Sequence, residues 1–222
     1  MTLCVMISFV MLTNIVGITF GIVNIRTNAQ VLNWTNHLSF LVILKDMYCN
    51  SEELPNSQIL KQFVKQANHI LVQKPHSVLE KIELPPSGDK HDFLALAPYR
   101  WPNPEKTDGL PYIGHDGIVN PETYEIPDKK NFDEMIKMVK LLSITYYITR
   151  NDTYAFKASE LIRSWFLNED TRMNPNLNYG ELNRGIKQIN PSGIMTGRNI
   201  TDVLESIHLI KYSNLWTERD QK

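Results

Sequence analysis

The sequence predicts an all-α protein, built from antiparallel helical hairpins with long irregular loops gathered on one rim. Three observations lead there. Apolar residues recur at three- and four-residue steps over 57–73, 131–149 and 153–167, which is helical rather than strand periodicity. Only the turn Arg150-Asn151-Asp152 separates the last two of these segments, so they must be antiparallel neighbours. Two stretches, 85–127 and 168–198, are dense in Pro, Gly and Asn, and no convincing strand pair follows Leu44.

Taken in order, residues 1–29 carry an almost uncharged apolar run from Leu3 to Val23, with small residues at Gly17, Thr19 and Gly21. Two readings stay open. One is a signal peptide cut near Gly21 or Ala29; the other is an uncleaved signal anchor, since the run is about long enough to span a bilayer. Nothing later in the chain is apolar enough for a membrane span, which favours the signal peptide and a secreted or extracytoplasmic destination. No stable membrane partner is expected beyond that leader. Three glycosylation sequons point the same way: Asn33-Trp34-Thr35, Asn151-Asp152-Thr153 and Asn199-Ile200-Thr201. Cys4 lies in the leader, which leaves Cys49 alone in a mature chain and rules out an intrachain disulfide there.

Residues 30–222 are then read as one domain. The block Leu38–Leu44 fits a strand or a short buried helix equally well. Ser57 caps a helix running to Gln73, with Phe63, Val64, Ala67, Ile70 and Leu71 on its apolar side and Pro75 as its stop. Asn131–Thr149 is the clearest helix: Asp133 and Glu134 suit the dipole of its first turn. Its apolar residues, from Phe132 through Val139 to Tyr147, cover more than one side. A second helix follows from Asp152 or Thr153 to about Leu167. Another is expected over Thr201–Tyr212.

A hydrophobic fraction of 42% with 21% charged residues is that of a globular protein. The formal net charge of -1, without a long basic run, excludes a general nucleic-acid binder. No G-x-S-x-G elbow, phosphate loop or Cys/His nucleophile pattern occurs. His91-Asp92 and His115-Asp116 are isolated pairs without metal-ligand spacing, so neither a metal nor another cofactor is expected.

Seven prolines between Pro85 and Pro121 stiffen the first long loop. Its aromatic content argues against disorder. The two long loops flank one hairpin and would meet at one end of it. Between them they offer Tyr99, Arg100, Trp101, Tyr112, His115, Asn176, Asn178, Tyr179 and Arg198, together with Asp116, Glu181 and Arg184. Aromatic faces beside Asn, Arg and His edges suit a hydrophilic ring-shaped ligand such as a sugar, the polar groups meeting hydroxyls and carboxylates. On the residues alone, an equal reading is that Tyr99, Trp101 and Tyr112 merely pin the loop to the helices.

The strings Pro85-Pro86-Ser87-Gly88-Asp89-Lys90-His91-Asp92-Phe93, Leu96-Ala97-Pro98-Tyr99-Arg100-Trp101-Pro102-Asn103-Pro104 and Gly109-Leu110-Pro111-Tyr112-Ile113 resemble the N-terminal signature of the alginate lyase domain family. So do His115-Asp116-Gly117, Val119-Asn120-Pro121, Trp165-Phe166-Leu167 and Thr171-Arg172-Met173-Asn174-Pro175-Asn176-Leu177-Asn178-Tyr179. The resemblance is clearest over 57–216. It implies an incomplete (α/α) toroid of helical hairpins and a partner that is an anionic, uronate-containing polysaccharide. It implies cleavage by β-elimination, in which a neutralised substrate carboxylate allows the adjacent proton to be taken and the glycosidic oxygen to leave. The family's neutralising Asn and His and its catalytic Tyr are expected beyond Lys222, so no catalytic residue is assigned in this sequence. Tyr99, Arg100, Trp101, Tyr112, His115, Asn176, Asn178, Tyr179 and Arg198 are the expected substrate-binding set.

Two positions depart from the family pattern. Glu181 stands where Gln is common, and His115 where Arg is usual before Asp116-Gly117. Both lower the positive potential met by a uronate. They keep open a second expectation, of a catalytically inactive glycan-binding or remnant protein.

Overall fold

The computed structural model describes residues 58–186 and 188–221. The expected leader, the sequon at Asn33, the Leu38–Leu44 block, Cys49 and the Ser57 cap lie outside the described residues. Within them the fold is mostly helical with no closed sheet, an open α/α toroid-like arrangement.

Five helices follow in order: α1 (Gln58–Leu71), α2 (Asp128–Thr149), α3 (Asp152–Ile162), α4 (Ile200–Ile210) and the short α5 (Glu218–Gln221). Helix α2 is the centre, packed against α1, α3 and α4. The apolar residues that covered more than one side in sequence are buried accordingly, from Phe132 and Met135 through Val139 and Leu142 to Tyr146. Around Phe132 the rings of Phe93, Trp165 and Phe166 meet edge-on at centroid distances of 5.5, 5.3 and 6.2 Å. Fully burying such side chains contributes roughly 1.5–3 kcal/mol apiece, so this aromatic knot is a principal source of stability.

The hairpin turn is as tight as its sequence requires. Arg150 takes the left-handed conformation (φ 55°) and donates its backbone N–H to Tyr146 O at 2.7 Å. Its guanidinium lies 4.8 Å from the Tyr147 ring centroid, a cation–π contact that offsets the backbone cost. Asn151 then caps α3, its side-chain oxygen accepting from the Thr153 N–H at 3.0 Å. The expected second helix is split. It is α-helical to Ile162, then widens into a π turn over Arg163–Leu167, closed by Asn168 N–H to Arg163 O at 2.8 Å.

Four short strands appear that periodicity did not reveal: β1 (Leu94–Leu96), β2 (Arg100–Trp101), β3 (Ile113–Gly114) and β4 (Tyr179–Leu182). At two to four residues each, they are too short to show an alternating pattern. Strand β1 pairs parallel with β4, Leu94 opposite Tyr179 and Leu96 opposite Leu182, with one extra residue bulged in β4. Strands β2 and β3 form an antiparallel ribbon. Both pairs lie inside the long loops and decide how those loops are presented.

Candidate functional site

The first loop is fixed from beneath by a buried ion pair. Lys81 and Asp128 have fully buried side chains 2.8 Å apart. Lys81 Nζ also donates to the carbonyls of Val78 and Lys90, and Asp128 Oδ2 accepts from the Leu94 N–H. Burial pushes the Lys81 ammonium pKa down and the Asp128 carboxyl up, against the mutual attraction that opposes both shifts. Asp128 opens α2, where its charge also suits the helix dipole. The entry to β1 is thereby bonded to the first turn of the central helix.

A second knot joins the two loops. Asp92, only 7% exposed, accepts from Ser87 Oγ at 2.7 Å, Asn174 Nδ2 at 2.8 Å and Asn176 Nδ2 at 3.0 Å. Burial works against its charge, but these donors outweigh it and hold the carboxyl below the usual carboxylate range. Alongside, His91 O accepts from the Asn174 N–H, and His91 Nδ1 lies 2.6 Å from Arg172 O. His91 is thus a loop fastener, and Asn176 faces inward to Asp92 while its oxygen accepts from the Asn178 N–H.

The third tie is at the far end of the ribbon. Arg184 forms a two-pronged pair with Glu83, both bonds 2.8 Å, and reaches Glu122 at 3.5 Å. Tyr112 donates its hydroxyl to Glu122 at 2.7 Å and its N–H to Arg184 O. Burial, then the Glu122 carboxylate, raises the Tyr112 pKa. Gly185 sits at φ +82°, and an added Cβ would stand 2.7 Å from Pro111 Cα, so no other residue fits this approach.

What these ties present is the β2–β3 ribbon. Arg100 pairs with Gly114 and Trp101 with Ile113; His115 N–H donates to Tyr99 O, and Trp101 Nε1 to Ile118 O. The Trp101 and His115 rings meet edge-on at 6.1 Å. Tyr99, Arg100 and His115 are exposed and Trp101 is half-buried, so four of the sequence-predicted residues stand together on one short ribbon. Tyr112 lies at the far end of the ribbon, just before β3, with its hydroxyl engaged.

The second loop supplies a further set of polar groups. Tyr179 is half-buried against the small cluster of Leu94, Leu96 and Ile126, whereas Asn178 is exposed. The 3-10 segment Pro191–Gly197 packs on this stretch with almost nothing between the backbones. A Cβ on Gly193 would lie 2.2 Å from Leu177 O, and Thr196 Oγ1 donates to Gly180 O at 2.9 Å. Arg198 follows directly and is exposed. Glu181 is half-buried, and burial raises its carboxyl pKa. The arrangement provides exposed cationic and aromatic groups on one loop and amide and guanidinium groups on the other.

Sequence reasoning missed Lys81, Asp92, Asp128 and Asn174, the groups that hold the loops. The one available signal was a charged residue within an apolar context, as at Asp92 before Phe93-Leu94.

Residues 77–222 match the family model described as alginate lyase. A crystal structure of an alginate lyase from Bacteroides ovatus superposes with a TM-score of 0.72 at 31% sequence identity, covering 82% of this chain and 48% of that one. This chain belongs to the alginate lyase family. It spans about half the length of that solved alginate lyase. Among curated proteins none matches. Both the ribbon and the Asn178–Glu181 segment fall within the matched residues, and His115 and Glu181 occupy exposed and half-buried loop positions, respectively.

Proposed function

We propose that this chain forms one wall of a cleft for a uronate-containing polysaccharide in a polysaccharide lyase acting outside the cytoplasm. The observation that carries the reading is the β2–β3 ribbon, which exposes Tyr99, Arg100 and His115 beside Trp101. Arg100 meets a uronate carboxylate in charge-assisted hydrogen bonds, and the His115 ring edge adds a further polar contact. Tyr99 and Trp101 cover the apolar faces of the pyranose rings. Neutralising the carboxylate is what β-elimination needs most, because charge develops on it as the adjacent proton leaves. Asn178 and Arg198 supply further contacts from the second loop, while Asn176, Tyr112 and Tyr179 act through the backbone they hold. The apolar leader over residues 3–23 points to the extracytoplasmic setting.

Glu181 favours a second reading, of a glycan-binding protein without turnover, since a carboxylate beside a polyanion repels it unless protonated. Affinity electrophoresis in gels cast with polymannuronate, polyguluronate or a neutral glucan tests the cleft. Retardation is expected with a polyuronate and not with the glucan. Arg100→Ala should weaken binding by about tenfold, equivalent to ~1.4 kcal/mol. Equal migration in all three gels would sink the cleft. Absorbance from unsaturated uronate ends, followed on the same samples, separates lyase from binding protein.

A further inference from the structure

The hairpin turn carries a feature that the cleft does not use. Asn151 opens the sequon Asn151-Asp152-Thr153 and is exposed, as are Asp152 and Thr153. Its side-chain oxygen is committed to the Thr153 N–H, whereas its Nδ2 has no hydrogen-bond partner among the described residues. The capping bond therefore occupies the oxygen of an exposed carboxamide and leaves its nitrogen out of the cap. By contrast, Asn199 in its own sequon is only half-exposed, and the hydroxyl of Thr201 lies 3.5 Å from Arg198 O.

A second observation lies one helical turn away. Thr153, Phe156, Lys157 and Glu160, on one face of α3, join Leu71, Val72 and Pro75 around an open crevice of about 430 Å³. Its rim leaves Val72 82% and Phe156 52% exposed. An apolar, partly aromatic surface next to an exposed carboxamide fits the N-acetyl methyl groups and ring faces of an amino sugar. Lys157 is held by the Gln73 carbonyl and Glu160, and the exposed Lys74 also stands at the crevice.

We infer that Asn151 is an N-glycosylation site whose first N-acetylglucosamine residues lie over the Val72–Phe156 crevice. In the transfer, Asn151 Nδ2 attacks the anomeric carbon of a lipid diphosphate-linked oligosaccharide. The N–C bond forms as the C–O bond to the diphosphate breaks; the lipid diphosphate leaves, and the amide proton goes to a base of the transferase. The oxygen is untouched, so the cap of α3 survives modification. The covered crevice lies between α3 and the end of α1, on residues separate from the loops that form the cleft.

The inference rests on the chain leaving the cytoplasm, and the test distinguishes the two. The full chain is translated with endoplasmic-reticulum microsomes, treated with protease, and analysed by peptide mass. The expected result is a protected chain with one glycan increment on the Asn151 peptide. Asn151→Asp should lose the increment yet melt at an unchanged temperature, because its carboxylate still accepts from Thr153. Hydroxyl-radical labelling of Phe156 should rise when a glycoamidase removes the glycan. A protected chain with Asn151 unmodified would overturn the inference alone. An unprotected chain would overturn it together with the extracytoplasmic reading. Unchanged Phe156 labelling would overturn the placement over the crevice.

Discussion

Replacing Asp92 with Ala should loosen both loops at once. Its carboxylate accepts from Ser87, Asn174 and Asn176, and so joins the first loop to the 174–176 stretch. A hydrogen bond to a charged group contributes about 1.5–3 kcal/mol net. The three are not independent, because Asn174 also donates to Asp89 and Ser87 Oγ also accepts from the Asp89 N–H. About 3 kcal/mol for the set is the expected loss, a large share of a domain's stability. Urea unfolding at neutral pH measures it. The pH dependence gives an internal check. The folded-state pKa of Asp92 is depressed, so its stabilisation is present above the unfolded carboxylate value and fades as pH falls through the folded one. The gap between wild type and D92A should therefore be full at neutral pH and close below about pH 4. Asp92→Asn, which keeps one acceptor, should fall between. If D92A lies within about 0.5 kcal/mol of wild type at neutral pH, Asp92 does not join the loops as described.

Two further outcomes bear on the supports of the ribbon. Lys81→Met should cost about 3–5 kcal/mol by leaving Asp128 charged and buried, and Lys81→Met with Asp128→Leu should recover much of that in thermal unfolding; no recovery would show that the backbone bonds of the pair outweigh the pair itself. Gly185→Ala should cost about 1–3 kcal/mol, given its positive φ and the 2.7 Å approach to Pro111, and should sensitise the 103–112 turn to protease before global melting; an unaffected turn would mean that the two loops are not braced there.

The helices were legible because burial repeats. Residues Phe132, Met135, Ile136, Val139 and Leu142 carry the helical period in plain sight, and Arg150-Asn151-Asp152 is too short for anything but a hairpin. That the long loops meet also followed, since both leave the same hairpin. How they meet did not follow. Leu94–Leu96 pairs with residues some eighty positions later, and a three-residue strand has no period to read. The polar anchors were equally hidden: Lys81 looks like any surface lysine until the carbonyls of Val78 and Lys90 enclose it. Of the predicted contact residues, Tyr99, Arg100, Trp101 and His115 were recognisable as a group because they lie close in the chain. Asn176 was not distinguishable from Asn178, although only one of them faces inward, because the partner that turns it is Asp92, far away in sequence.

The contact between Gly193 and Leu177 O has a consequence for divergence. The second loop is seated by backbone on backbone, so the exposed Asn178 and Arg198 side chains have no part in fixing its position. They are free to change identity without repacking anything beneath. Substitutions at those two positions should leave the loop in place, whereas a side chain added at Gly180 or Gly193 has no room unless the backbone moves.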